Sequence, residues 1–260
     1  MPGTNCDYDT AKAFRNAGAE VTTSVLCNLG GDDILRSIAQ MKEHIRRRPY
    51  FRALRRLLVG RRAGRQRKFI VNVLNNKDIR EEIHALLDRG GLILGICNGF
   101  QALVKSGLLP YGRLGMVTKD SPTLFRNDVN RHISQIVSTR VSTLNSPWLA
   151  GFELGEVHCD RRQPRRGQVR RQRGAGAAGL FANGQVAFQY VDAEGRVTAE
   201  APYNPNGSSY AIEGIVSRDG RILGKMGHTE RYGKNLFKNI AGNKEQALFR
   251  NAVEYFRKSK

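Results

Sequence analysis

The chain has 260 residues, 40% of them hydrophobic, and a formal net charge of +20. No apolar run approaches the roughly 18 residues of a membrane span, and the start "MPGTNCDYDT" lacks the basic-then-apolar pattern of a secretory leader. A cytoplasmic protein with no membrane partner is therefore expected, long enough for one large domain or two small ones and for a sizeable buried core.

Cys6, Cys27, Cys97 and Cys159 form no CxxC pair, so the sequence supports neither a zinc site nor a disulfide framework, and no other metal-ligand cluster is visible. The charge is local. Residues 48–67 carry eight Arg and no acid, and residues 159–179 carry seven Arg and one Asp. Together they supply +14 of the +20, leaving +6 for the other 219 residues. Basic arms that bind nucleic acid usually mix Lys with Arg and interleave aromatics. Neither run holds a Lys, so charge alone leaves a nucleic-acid-binding protein as an alternative without a specific motif.

In chain order, "DYDTAKAFRNAGAEV" predicts a short amphipathic helix through Phe14 that stops at Gly18. "DIREEIHALLDRGG" predicts a second helix, with Ile79, Ile83, Leu86 and Leu87 on one side and Gly90 at its end. "LILGI" (92–96) is continuously apolar, as suits a strand buried on both faces of a parallel sheet. "NGFQALVKSGLLP" restarts a helix, ended by Gly107 and Pro110. "ISQIVSTRVS" and "GQVAFQYVD" alternate as strands do. Asn206-Gly207 and Asp219-Gly220 then mark turns between short strands, and "NKEQALFRNAVEYFRKS" closes as a helix behind an Asn243 cap. Helix and strand order predicts an α/β fold: an open, mostly parallel sheet flanked by helices, with added antiparallel strands.

"LILGICNGFQ" carries the chemistry. Gly95, Cys97 and Gly99 form a G-x-C-x-G frame between a buried strand and a helix, the nucleophile-elbow arrangement with Cys in place of Ser. The glycines Gly95 and Gly99 leave room for a tight turn. Cys97 would stand near a helix N-terminus, whose dipole favours thiolate. The alternative is a buried cysteine packing as a small hydrophobe. A cysteine nucleophile needs a base and an orienting group. "GKMGHTER" offers His228 with Glu230 two residues on, which an extended segment would place on one side.

These stretches, with "PGTNCDYDTAKAFRNAGAEV", "YNPNGSSYAIEGIVSRDGRILGKMGHTER" and the last helix, resemble one family. It is the class I glutamine amidotransferase domain of phosphoribosylformylglycinamidine synthase, most like the domain that ends the long single-chain form. The resemblance implies a flavodoxin-like glutaminase, a single domain over 1–260 whose opening strand is missing before "PGTN". It implies Cys97 as nucleophile, His228 as general base and acid, and Glu230 orienting His228. The Asn98 N–H would supply one oxyanion-hole donor. For Gln101 and residues 205–209 a place in the glutamine pocket stands beside the alternative of a packing or turn role for each. The substrate would be L-glutamine, with no cofactor in this chain. ATP and magnesium would belong to the synthetase region, the partner that receives ammonia to amidinate formylglycinamide ribonucleotide in purine biosynthesis.

The same resemblance bears on the arginine runs. Family members carry a "GGFS…GDEPDGSGKF" loop at the first run, of the same length. Codons compatible with residues 55–67, read one nucleotide out of frame, give G-G-F-S-S-G-D-E-P-D-G-S-G. Residues 163–170 treated likewise give S-H-G-E-G-K-F-V, the family's "SHGEG-[KR]-FV". Both runs are read as out-of-frame segments closed by a compensating shift, which makes an inert frame-shifted fragment a further alternative. Arg55 and Arg56 then stand where glycines would offer the second oxyanion donor, and Arg52, Arg55 and Arg56 would enter a central strand. Impaired folding and activity are the expected consequence.

Overall fold

The computed structural model describes residues 6–27, 29–48, 50–53, 71–118, 121–126, 135–162, 166–170 and 176–258. Residues 54–67 of the first arginine run, with Arg55 and Arg56, and residues 163–165 and 171–175 of the second lie outside them.

The first helix, α1 (Asp7–Asn16), has acids in its first turn and Arg15 in its last, matching the helix dipole. Its buried Phe14 meets Phe249 edge-on at 4.9 Å, which docks α1 on the final helix. Helix α2 (Gly31–Arg47) buries Ser37, Met41 and Ile45, one turn apart, and so presents a single stripe to the core. Helix α3 (Lys77–Asp88) starts where the Asn76 side chain accepts from the N–H groups of Asp78 and Ile79. Its apolar face is the one predicted: Ile79, Ile83, Leu86 and Leu87 are buried. An Arg46–Glu82 ion pair adds to the α2–α3 contact.

The main sheet has seven strands in the order β1-β2-β9-β8-β7-β4-β5. Strands β1 (Tyr50–Ala53), β2 (Leu92–Ile96) and β9 (Ile222–Lys225) run parallel. Strands β8 (Ile212–Val216), β7 (Val186–Val191), β4 (Gln135–Val141) and β5 (Val157–Arg162) add antiparallel pairings beyond β9. A small second sheet pairs β3 (Thr123–Arg126) with β6 (Arg166–Arg170). The expected parallel part and antiparallel extension are both present, but the described sheet is not mostly parallel: two of its six pairings are parallel and four are antiparallel, because every strand beyond β9 joins antiparallel to its neighbour.

Three details differ from the sequence reading. Strand β1, which holds Arg52, is at the edge of the described sheet rather than central, because its described pairing is with β2 alone. Strand β7 is buried along its whole length, although its sequence alternates, because it lies inside the sheet between β8 and β4. Asn243 accepts a bond from the N–H of Glu245, a local turn, and the closing helix starts later. Beyond the short helix α5 (Gly176–Ala182), that closing helix is α6 (Leu248–Lys258).

The sheet direction places the site. Strands β2 and β9 are parallel, so the residues after their C-terminal ends, 97 and 226–230, emerge at one edge. Helix α4 (Asn98–Ser106) leaves from that edge and turns at Gly107, whose φ is 88°.

Candidate active site

Strand β2 delivers Cys97 directly into α4. The backbone at Cys97 has φ 55° and ψ −105°, a conformation that side chains disfavour. Holding a residue there costs about 1–3 kcal/mol and persists only where the surroundings over-determine it. Here the Cys97 N–H donates to the carbonyl of Lys225 at 2.8 Å, and the Cys97 carbonyl accepts from the Gln101 N–H at 3.1 Å. The turn requires a glycine at 95. A Cβ there would stand 2.8 Å from the Gly99 carbonyl carbon and 2.5 Å from the Leu103 side chain. Gly95 and Gly99 are thus pressed against each other, as the elbow frame demands.

Cys97 is buried. Asn98 is the first residue of α4, where backbone N–H groups have no partner within the helix. Gln101 lies one turn further with its side chain buried.

His228 comes from the segment after β9. Its Nδ1 is 2.7 Å from Glu230 Oε1, and both side chains are fully buried. The link differs from the expected extended segment. Residues Thr229–Arg231 form a 3-10 turn that begins at His228, and this turn folds the carboxylate back onto the ring. Among the described residues, Nε2 has no hydrogen-bond partner of ordinary length and angle. The Cys97 thiol is nevertheless near enough to influence the ring. Burial pulls the His228 pKa down, but the Glu230 charge and hydrogen bonding and charge from Cys97 outweigh it, and the net direction is upward. Catalytic hydrogen bonds are often poorly aligned before substrate binds and tighten in the complex. The chain ends of β2 and β9 therefore bring Cys97, His228 and Glu230 together.

The sequence reading missed the polar structure behind this edge. Lys225, Asp160, Thr229, Gln246 and Glu213 are all buried. Glu213 Oε1 on β8 accepts from the N–H groups of Met226 and Gly227, the two residues before His228. A lysine in the apolar run "ILGKM" is the signal that would have found it, since a buried Lys requires partners. Asp160 falls in the second arginine-rich stretch, whose charge hid it. His158, also buried, has Nε2 3.0 Å from Glu156 Oε1, and burial lowers its pKa. Among the described residues no group of His, Cys, Asp and Glu converges as a metal site, and no helix is long and apolar enough to cross a membrane.

Residues 1–256 match the family described as the CobB/CobQ-like glutamine amidotransferase domain. The chain belongs to this family. It is 31% identical to the phosphoribosylformylglycinamidine synthase subunit PurQ of Pyrococcus furiosus, over 99% of this chain and 96% of that one. It is 37% identical to PurQ of Rhodospirillum rubrum, over 68% of this chain and 69% of that one. Among glutamine amidotransferases it is thus PurQ-type. Of solved structures, PurLQS from Thermotoga maritima matches with a TM-score of 0.64 at 24% identity, covering 98% of this chain and 95% of that one. The glutaminase domain of Trypanosoma brucei CTPS matches with a TM-score of 0.51 at 11% identity, covering 96% and 88%. These two likenesses concern the fold, which is the α/β fold of class I glutamine amidotransferases.

Proposed function

We propose that this chain is the glutaminase component of phosphoribosylformylglycinamidine synthase and releases ammonia from L-glutamine at Cys97. The observation that carries this reading is the strained elbow at Cys97 beside a buried His228–Glu230 pair, in a chain of PurQ-type sequence.

The residues suggest the following order of events. His228 takes the thiol proton, and its raised pKa suits it to hold that proton beside a thiolate. The sulfur attacks the side-chain amide carbon of glutamine, and the Asn98 N–H faces the oxygen that becomes negative. His228 returns its proton to the amide nitrogen, ammonia leaves, and a glutamyl thioester remains on Cys97. His228 then deprotonates water, the water oxygen attacks the thioester carbon, and glutamate departs as the thiol is restored. Glu230 holds the imidazole by Nδ1 throughout. Gln101 belongs with the pocket that receives the glutamine. Ammonia would pass to a synthetase partner, where ATP with magnesium would activate the amide oxygen of formylglycinamide ribonucleotide as a leaving group and ammonia would take its place.

Arg55 and Arg56 fall in the segment that would complete the oxyanion hole. Loss of one such donor costs about 10²–10³ in rate, so this chain works well below a form with the two glycines. The experiment compares glutamate release by this chain and by a form with 55–67 replaced by GGFSSGDEPDGSG and 163–170 by SHGEGKFV. Hydrolysis by the second form, lost on Cys97→Ala, is expected. No hydrolysis by it, or hydrolysis that survives Cys97→Ala, would contradict the reading.

A further inference from the structure

A buried ammonium is bonded to Thr229, the residue next to the proposed base. Lys225 is 0% exposed, and Asp160, Thr229 and Gln246 around it are 4%, 3% and 5% exposed. The three donors of the ammonium have three acceptors. These are Asp160 Oδ2, Thr229 Oγ1 at 2.6 Å and Gln246 Oε1 at 2.6 Å. Thr229 Oγ1 is also 3.1 Å from Asp160 Oδ2 and 2.7 Å from Gln246 Oε1. The ammonium stands 4.9 Å from the centre of the Phe188 ring, a further favourable contact for a cation.

Such an ion pair is weak evidence for stability. Desolvating two charges offsets most of their attraction, and well-packed apolar residues would do as well. What the charges add is directional. They gather four segments, β9, β5, the 229–231 turn and the chain before α6, onto one point. Thr229 is the residue between His228 and Glu230. Gly227, just before His228, has no space for a side chain, because a Cβ would be 2.5 Å from Asp160 Oδ2. The turn is therefore held at Thr229 by the network and pressed at Gly227 by the same carboxylate.

We propose that Lys225, neutralised by Asp160 and bonded to Thr229, is a positioning residue that sets the His228 ring opposite Cys97. Its carbonyl already holds the nucleophile, since it accepts the Cys97 N–H. One residue thus fixes both partners, the thiol through its main chain and the base through its ammonium. This inference rests on the Cys97–His228 reading above.

The test reads the thiol and not the overall reaction, so the outcome does not depend on the oxyanion donor expected from residues 55–67. Iodoacetamide alkylation of Cys97 in the full chain is followed by peptide mass spectrometry between about pH 5 and about pH 9. Cys97→Ala identifies the peptide, and His228→Ala is expected to move the Cys97 profile up toward the ordinary thiol value of about 8.5. Thr229→Val removes only the hydroxyl link. It is expected to shift the profile the same way and slow alkylation at neutral pH about tenfold, the effect of one pKa unit. Thr229→Ser is expected to restore it. An unchanged profile in a folded Thr229→Val protein, with His228→Ala effective, overturns the inference alone. An unchanged profile in His228→Ala overturns the reading beneath it as well. Should Thr229→Val not fold, the charge-neutral pair Lys225→Met with Asp160→Asn carries the same two outcomes.

Discussion

The N–H of Cys97 donates to the carbonyl of Lys225 at 2.8 Å, so the last residue of β9 holds the elbow that β2 begins. Three residues on, the same chain reaches His228. The spacing between thiol and imidazole is thus set by two adjacent parallel strands and one hydrogen bond between them. That arrangement gives the elbow its strain and the base its place, and each of the following expectations comes from one part of it.

Strain at Cys97 should reverse the usual order of Ala and Gly. In most elements Gly is less stable than Ala by about 0.5–1 kcal/mol. At φ 55° and ψ −105° the Cβ is the source of strain, so Cys97→Gly should be more stable than Cys97→Ala by about 1 kcal/mol. Urea denaturation of the two variants measures it, and the usual order would show an unstrained turn.

Gly95→Ala should destabilise the chain by about 1–3 kcal/mol, the usual range for overpacking. The added Cβ would meet the backbone of Gly99, which cannot move aside without shifting the start of α4. Alkylation of Cys97 should lose its dependence on His228 in this variant, because the elbow itself is displaced.

Much of this was legible in the sequence. The elbow frame, the buried strand "LILGI" and the His-x-Glu pair all depend on local pattern, α1, α3 and β2 fall where the periodicity put them, β8 and β9 are short strands on either side of the Asp219-Gly220 turn, and α6 is present but starts later than its predicted Asn243 cap. The sequence reading places no element over α2, although its buried Ser37, Met41 and Ile45 recur at helical spacing. The burial of β7 depends on its neighbours β8 and β4, which alternation within one strand cannot reveal. The Lys225–Asp160 pair joins residues 65 positions apart, and no local pattern encodes such a contact. The 3-10 turn at 229–231 likewise replaces the extended geometry that the His-x-Glu spacing suggested.

The His228–Glu230 pair should leave a pH signature in stability. The folded-state pKa of His228 is raised, with burial opposing and Glu230 and Cys97 prevailing. A raised histidine contributes stability that is fully present below its unfolded value of about 6.5 and lost as pH rises through the folded value. Glu230→Gln should therefore lower the Tm most on the acid side of that window, with the gap to the unaltered chain closing at higher pH. A gap that widens with rising pH would mean that His228 is held neutral.

Capping at Asn76 offers a check on the scaffold alone. Its side chain accepts from Asp78 N at 3.1 Å and Ile79 N at 3.4 Å. Asn76→Ala should cost about 1 kcal/mol in urea denaturation, and the alkylation profile of Cys97 should not move.

Restoring the glycine loop over 55–67 should raise glutamine hydrolysis about 10²–10³-fold, the usual contribution of one oxyanion donor. A steady-state ammonia assay on the two forms decides this. Equal rates would mean that the arginine segment leaves the oxyanion site intact.

The most direct measurement is acid-quench trapping of the covalent intermediate. The form with both segments restored is mixed with glutamine, quenched within its turnover time, and its peptides are weighed. A glutamyl adduct on the Cys97 peptide, reduced in His228→Ala, is the predicted result. Glutamine turnover with Cys97 unmodified, and unaffected by His228→Ala, would contradict the account.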